Sequence, residues 1–261
     1  MTADALRRTI QGIEEAGSAD RPRLPLGIPG IDRALPGGGL RLGGIHEVVG
    51  DESATGFCAA LLARAALAAG PPCGADPGSG TTQGARDPPR KGHRAGTLLW
   101  LARDDDLYPP GLVRYGIGPG QLLVVSGLRR ADDMLWAMEE ALRCRAVSGV
   151  VAEIGQIGLA AGRRLMLAAE GTGVLGLVLS RRDGERRRGG GRVQVAVSRW
   201  RVTGVPGGHG GSDGPETRWR VKLRRCRSGR PGKWIVGWGD KGWKALPPSD
   251  AASGPGMRRA G

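Results

Sequence analysis

From Leu24 onward the apolar residues fall into short continuous runs, separated by stretches with helical spacing. Ile45 to Val49, Thr97 to Ala102, Leu122 to Ser126, Val150 to Ile154 and Val174 to Ser180 have the length of strands. The spacing between them predicts helices over 54–69, 132–147 and 158–170, the last closed by Gly171 at the C-cap. Unbroken apolar strands alternating with helices predict a parallel sheet covered on both faces. After Ser180 the pattern changes to a period of two over 193–202, 218–224 and 233–239. Trp219, Val221 and Leu223 there alternate with Arg218, Arg220, Lys222 and Arg224. Such strands are half-exposed and extend the sheet.

Other stretches do not belong to that alternation. Ala3 to Glu15 sets Leu6, Ile10 and Ile13 on one helical face before a Gly17-Ser18-Ala19-Asp20 break. That stripe either folds back on the body or docks on another protein. Residues 71–96 are rich in Pro, Gly, Ser and Thr and poor in large apolar side chains, which predicts a disordered insertion. The expected organisation is an N-terminal helix and linker over 1–20, a core over 21–246 whose basic strands occupy 199–246, and a disordered tail over 247–261.

Charge adds the next constraint. The 261 residues carry a formal charge of +14, from 39 Lys and Arg against 25 Asp and Glu. Residues 181–261 hold 20 basic and 6 acidic residues, so the first 180, with 19 of each, are neutral. A base-composition bias would have acted on both parts, so the asymmetry points to a nucleic acid or an acidic protein as partner. Cys58, Cys73, Cys144 and Cys226 form no C-x-x-C pair, and His46, His93 and His209 stand far apart. No metal site and no disulfide framework is expected, which fits a reducing cytoplasm. The start of the chain has no apolar signal core and no run of 18 apolar residues occurs, so a soluble protein is expected.

Candidate chemistry is concentrated after the first strand. Leu24-Pro25-Leu26-Gly27-Ile28-Pro29-Gly30-Ile31-Asp32-Arg33-Ala34-Leu35, then Gly37-Gly38-Gly39-Leu40 and Ile45-His46-Glu47-Val48-Val49-Gly50, resembles the approach to the phosphate loop of RecA-type recombinases. A working loop, G-x-x-x-x-G-K-[ST], cradles phosphates with backbone N–H groups, neutralises them with Lys and holds magnesium with Ser or Thr. Here Gly50, Glu52 and Ser53 keep the start of that run, but Gly56 stands at the Lys position and Phe57 at the Ser/Thr position. Losing a lysine about 4 Å from a phosphate forfeits about 4 kcal/mol at an effective dielectric near 20, roughly a thousandfold in affinity. No cofactor is therefore expected, and the surviving glycines read as a tight turn. In the same register Asp104 stands near the recombinase glutamate that activates water, and Glu153 stands at the magnesium-linked aspartate. Both are read as relics or partner contacts.

The last third carries the more specific resemblance. Ser198-Arg199-Trp200-Arg201-Val202, Arg218-Trp219-Arg220-Val221, Leu223-Arg224-Arg225-Cys226-Arg227 and Gly229-Arg230-Pro231-Gly232 with Trp234 resemble the ending of the ImuA family, which recombinases lack. The resemblance spans residues 24–246, interrupted by the insertion. It implies an α/β fold: a RecA-like P-loop NTPase core with a mainly parallel central sheet flanked by helices, extended by C-terminal antiparallel strands. It also implies a non-catalytic accessory protein of SOS-induced error-prone translesion synthesis. The implied partners are RecA, an ImuB-type Y-family protein and an error-prone DNA polymerase, in a bacterial cytoplasm and at the nucleoid during DNA damage. Single-stranded DNA is a further candidate ligand. In the recombinase register a DNA-contacting loop falls on Arg181, Arg182, Arg186, Arg187 and Arg188, which are suited to phosphates or simply solvated. Leu6, Ile10, Ile13, Trp219, Arg220, Arg224 and Arg225 are candidate partner contacts. The tryptophans among the basic residues either stack on bases or pack across strands. Alternative readings are a DNA-stimulated ATPase, and a SulA-like cell-division inhibitor.

Overall fold

Nine strands unite in one sheet, because the apolar runs are too continuous to leave either face in water. The computed structural model describes residues 21–69, 96–155, 157–181, 195–206, 217–239 and 242–246. A two-stranded ladder, β1 (Arg23–Leu24) with β2 (Leu40–Arg41), leads in and frames a short helix α1 (Pro29–Asp32). The Asp32 carboxylate accepts hydrogen bonds from the N–H groups of Leu26 and Gly27, at 2.8 and 3.0 Å, which fixes the turn before α1.

The main sheet comprises β3 (Gly44–Gly50), β4 (Thr97–Leu101), β5 (Leu122–Val125), β6 (Val147–Ala152), β7 (Leu175–Ser180), β8 (Ser198–Gly204), β9 (Thr217–Cys226), β10 (Gly232–Gly239) and β11 (Gly242–Leu246). Its spatial order is β11-β10-β9-β8-β3-β7-β6-β4-β5. From β5 to β8 every pairing is parallel; from β8 to β11 every pairing is antiparallel. The expected mainly parallel sheet with an antiparallel extension is therefore present.

Helices cover both faces of the parallel part. On one face lies α2 (Ser53–Ala69), where Phe57 to Ala63 are all buried. A helix apolar almost all round has to be enclosed on several sides, and here the sheet, a 3-10 helix over Pro109–Tyr115 and the C-terminal strands enclose it. On the opposite face lie α3 (Ala131–Arg143) and α4 (Leu159–Ala169), packed over Ile45, Leu101, Val150 and Val178. The buried Glu139 carboxylate pairs with Arg143 and with Arg164, tying α3 to α4. After α4 the C-cap is Glu170 in an extended conformation, and Gly171, expected as the C-cap, follows it with φ +81°.

Boundaries moved in two places. α3 ends at Arg143, not at 147, because Val147 already opens β6, three residues before the expected start. β8 begins at Ser198, not at 193. The 3-10 helix over Pro109–Tyr115 was not expected, and β11 was covered only by the general expectation of basic strands over 199–246, since proline-led and glycine-broken segments carry little periodicity. The expected N-terminal helix over 1–20, most of the 71–96 insertion and the 247–261 tail lie outside the described residues. No described helix is long and apolar enough to cross a membrane.

Candidate functional site

The C-terminal ends of parallel strands gather side chains at one edge of the sheet, where ligands of open α/β sheets usually bind. At the end of β3, Gly50 is followed by only Asp51 and Glu52 before α2 starts at Ser53. Residues 53–56, which would belong to a phosphate loop, are thus the first turn of a helix. The first three of their N–H groups are already used. Ser53 donates to Asp51 Oδ1 at 3.0 Å, Ala54 to the Asp51 carbonyl at 3.0 Å, and Thr55 to the Glu52 carbonyl at 3.2 Å. The Asp51 carboxylate also accepts from the Gly204 N–H at 3.0 Å, bracing the turn against the end of β8.

The position of the absent lysine is filled by the core. A Cβ on Gly56 would stand 2.3 Å from the Tyr115 hydroxyl and 3.2 Å from Trp219 Cζ2. Phe57 is fully buried, with ring centroids 6.1 Å from Trp200, 6.1 Å from Trp219 and 5.5 Å from Trp243. Trp238 completes this aromatic group, its ring tilted against Tyr115 with centroids 5.5 Å apart and its Nε1 donating to the Arg114 carbonyl at 2.9 Å. Burial pushes the Tyr115 phenol above its ordinary pKa.

A second cluster sits two strands away. Glu153, just past β6, is buried; its Oε1 accepts from Trp100 Nε1 at 2.9 Å. Its Oε2 accepts from the Arg103 N–H at 3.3 Å and from Arg181 at 2.7 Å. Arg181, at the end of β7, forks onto Asp106 at 2.7 and 2.8 Å. That bidentate pairing holds the Asp106 carboxyl below the usual carboxylate range and raises Arg181. Asp104 is exposed and takes no part; the acid drawn in from its loop is Asp106. Arg181, grouped in the sequence with arginines for DNA, instead bridges two carboxylates. Sequence reasoning had no means of pairing it with Glu153, because their proximity arises only where β6 and β7 run side by side.

The remaining candidates divide by face. Trp219, expected as a partner contact, is fully buried among the aromatics, because alternation turns it inward with Val221 and Leu223. Cross-strand and helix packing therefore accounts for it. Arg220, Arg224 and Arg225 are exposed. Leu6, Ile10, Ile13, Arg182, Arg186, Arg187 and Arg188 lie outside the described residues.

Sequence reasoning also passed over His46. Its Nε2–H donates to the Arg41 carbonyl at 2.9 Å, so Nδ1 accepts from the Ser198 hydroxyl at 2.6 Å. The same Ser198 oxygen accepts from Trp200 Nε1 at 2.7 Å. Burial, with the nearby Arg23 charge, pushes the imidazole down to about 3. On the other side of the sheet the buried Glu47 pairs with Arg199 across β3 and β8. Among the described residues no group of His, Cys, Asp and Glu could hold a metal ion.

Comparison with known proteins completes the picture. No protein-family model matches the chain. Protein ImuA of Caulobacter vibrioides, in strain NA1000 / CB15N, is 40% identical over 232 residues, covering 85% of this chain and 86% of the relative. Protein ImuA of strain ATCC 19089 / CIP 103742 / CB 15 matches equally, at 40% over 232 residues. With identity at that level running through most of both proteins, this chain belongs to the ImuA family.

Proposed function

We propose that the protein is a non-catalytic accessory factor of error-prone translesion DNA synthesis, built on a RecA-like core whose nucleotide loop has been converted into packing. It acts in the bacterial cytoplasm, at the nucleoid during DNA damage, as an adaptor for or modulator of RecA, an ImuB-type Y-family protein and an error-prone polymerase. One observation carries the reading: the site that would take a phosphate-bound lysine and a magnesium ligand holds Gly56 beneath Tyr115 and a fully buried Phe57. A chain that keeps the sheet while filling that site is suited to binding rather than turnover. Family membership supports the setting.

The competing reading is a DNA-stimulated ATPase, and Glu153 at the end of β6 is the residue that favours it. Its carboxylate is engaged by Trp100, Arg103 and Arg181, which leaves it poorly placed to hold a metal or orient water. The accessory reading is tested by a nuclease-treated pull-down of the tagged protein from DNA-damaged host cells. Recovery of RecA or a Y-family-like protein supports it; recovery of neither removes it.

A further inference from the structure

The four C-terminal strands hold nine Lys or Arg residues and no Asp or Glu. Alternation sorts their side chains. Trp200, Val202, Trp219, Val221, Leu223, Val236 and Trp238 turn toward α2. Their neighbours in sequence turn the other way, onto the face where α3 and α4 pack over the strands from β4 to β3.

Register sets the charges of that face side by side. Arg201 lies opposite Lys222, and Lys222 lies opposite Lys233, placing three cations abreast on β8, β9 and β10. At about 4.8 Å per strand the row spans roughly 10 Å. In the next rows Arg220 lies between Thr203 and Ile235, and Lys244 lies opposite Gly237. Arg220, Lys233 and Lys244 are exposed and Lys222 is half-buried. Like charges directly opposite one another destabilise a sheet. A flat row of cations of this kind is complementary to a regularly spaced polyanion.

We propose that this face binds double-stranded DNA through its phosphate backbone. The tryptophans of these strands turn to the opposite, core side: Trp200 and Trp219 are fully buried, Trp238 and Trp243 pack in the aromatic group, and the half-buried Trp234 packs against the same core beside Gly30. The face therefore offers charge without stacking platforms, and it gains nothing from unstacked bases. Duplex DNA has one charge per about 1.7 Å of axis and presents the denser row of phosphates. The proposal draws on none of Arg181 to Arg188 and does not depend on the accessory role proposed above, so either can fail alone.

Fluorescence anisotropy of a labelled mixed-sequence 20-base-pair duplex with the full-length protein tests this. Four phosphate contacts, from Arg220, Lys222, Lys233 and Lys244, predict an affinity loss on the order of 100-fold between 50 and 200 mM salt. The triple variant Arg220→Glu/Lys222→Glu/Lys233→Glu is expected to weaken binding at least about tenfold. Arg129→Glu/Arg130→Glu/Arg145→Glu, an equal charge change beside the opposite edge of the sheet, is expected to leave it unchanged. Near-UV circular dichroism of the buried tryptophans checks the fold. If the triple variant does not fold, the exposed pair Lys233→Glu/Lys244→Glu carries the same expectation. The proposal is overturned if the duplex does not bind at 50 mM salt, as for a face that reads an acidic protein. Equal weakening by the two triple variants would also overturn it, as would a single strand of equal length binding more than tenfold tighter than the duplex.

Discussion

The Tyr115 hydroxyl stands 2.3 Å from where a Cβ on Gly56 would be, so the glycine at the lysine position is required by its neighbour. Tyr115 is carried by the 3-10 helix over Pro109–Tyr115, and its ring stacks on Trp219 with centroids 6.1 Å apart. Trp219 is fully buried and Tyr115 nearly so. A longer side chain at position 56 would therefore have to displace this packing.

Restoring the motif should therefore harm the protein. Gly56→Lys with Phe57→Thr is expected to lower stability by more than about 3 kcal/mol, combining overpacking at Gly56 with loss of a fully buried aromatic at Phe57. Urea unfolding followed by tryptophan fluorescence measures it. A double variant as stable as the parent would mean that the loop is free to open.

The two carboxylates held by Arg181 should not be equivalent. Glu153 is buried and accepts from the fully buried Trp100 indole, so Glu153→Ala is expected to cost about 2–3 kcal/mol through the orphaned donor. The Asp106 side chain is 54% exposed, and Asp106→Asn should cost less than about 1 kcal/mol. Equal effects in chemical denaturation would contradict the assignment of Glu153 as the centre of the network.

His46 predicts a pH dependence with a definite sign. Its folded pKa of about 3 lies below the unfolded value of about 6.5, so the fold favours the neutral ring. Its contribution is complete above pH 6.5 and is lost as pH falls toward 3, amounting to about 2 kcal/mol between pH 7 and pH 5. Urea midpoints at those two pH values should differ accordingly, and the His46 imidazole signals should not titrate above pH 4 in the folded protein. A stability flat across that window, or a ring titrating near 6.5, would contradict the buried Ser198–His46–Arg41 chain.

Local pattern made the sheet legible and left the sites largely hidden. Continuous apolar runs such as Val174 to Ser180 can only be central strands, and the alternation in β9 announces its two faces. That same alternation already placed Trp219 inside, although its basic neighbours drew it toward a partner role. The Gly56 and Phe57 positions were legible as departures from a spaced motif. What filled the space was not, because Tyr115 stands 59 residues from Gly56 and Trp243 stands 186 residues from Phe57, and they meet α2 only in the folded chain. Arg181 joined Glu153 for the same reason: a pairing at the ends of adjacent strands leaves no periodic trace.

The proposal that this protein works without nucleotide is tested most directly by titration calorimetry of the full-length protein with magnesium-ATP, in the presence of DNA. The account predicts no saturable heat at millimolar ATP and no phosphate release. Saturable binding with hydrolysis abolished by Glu153→Gln would contradict it.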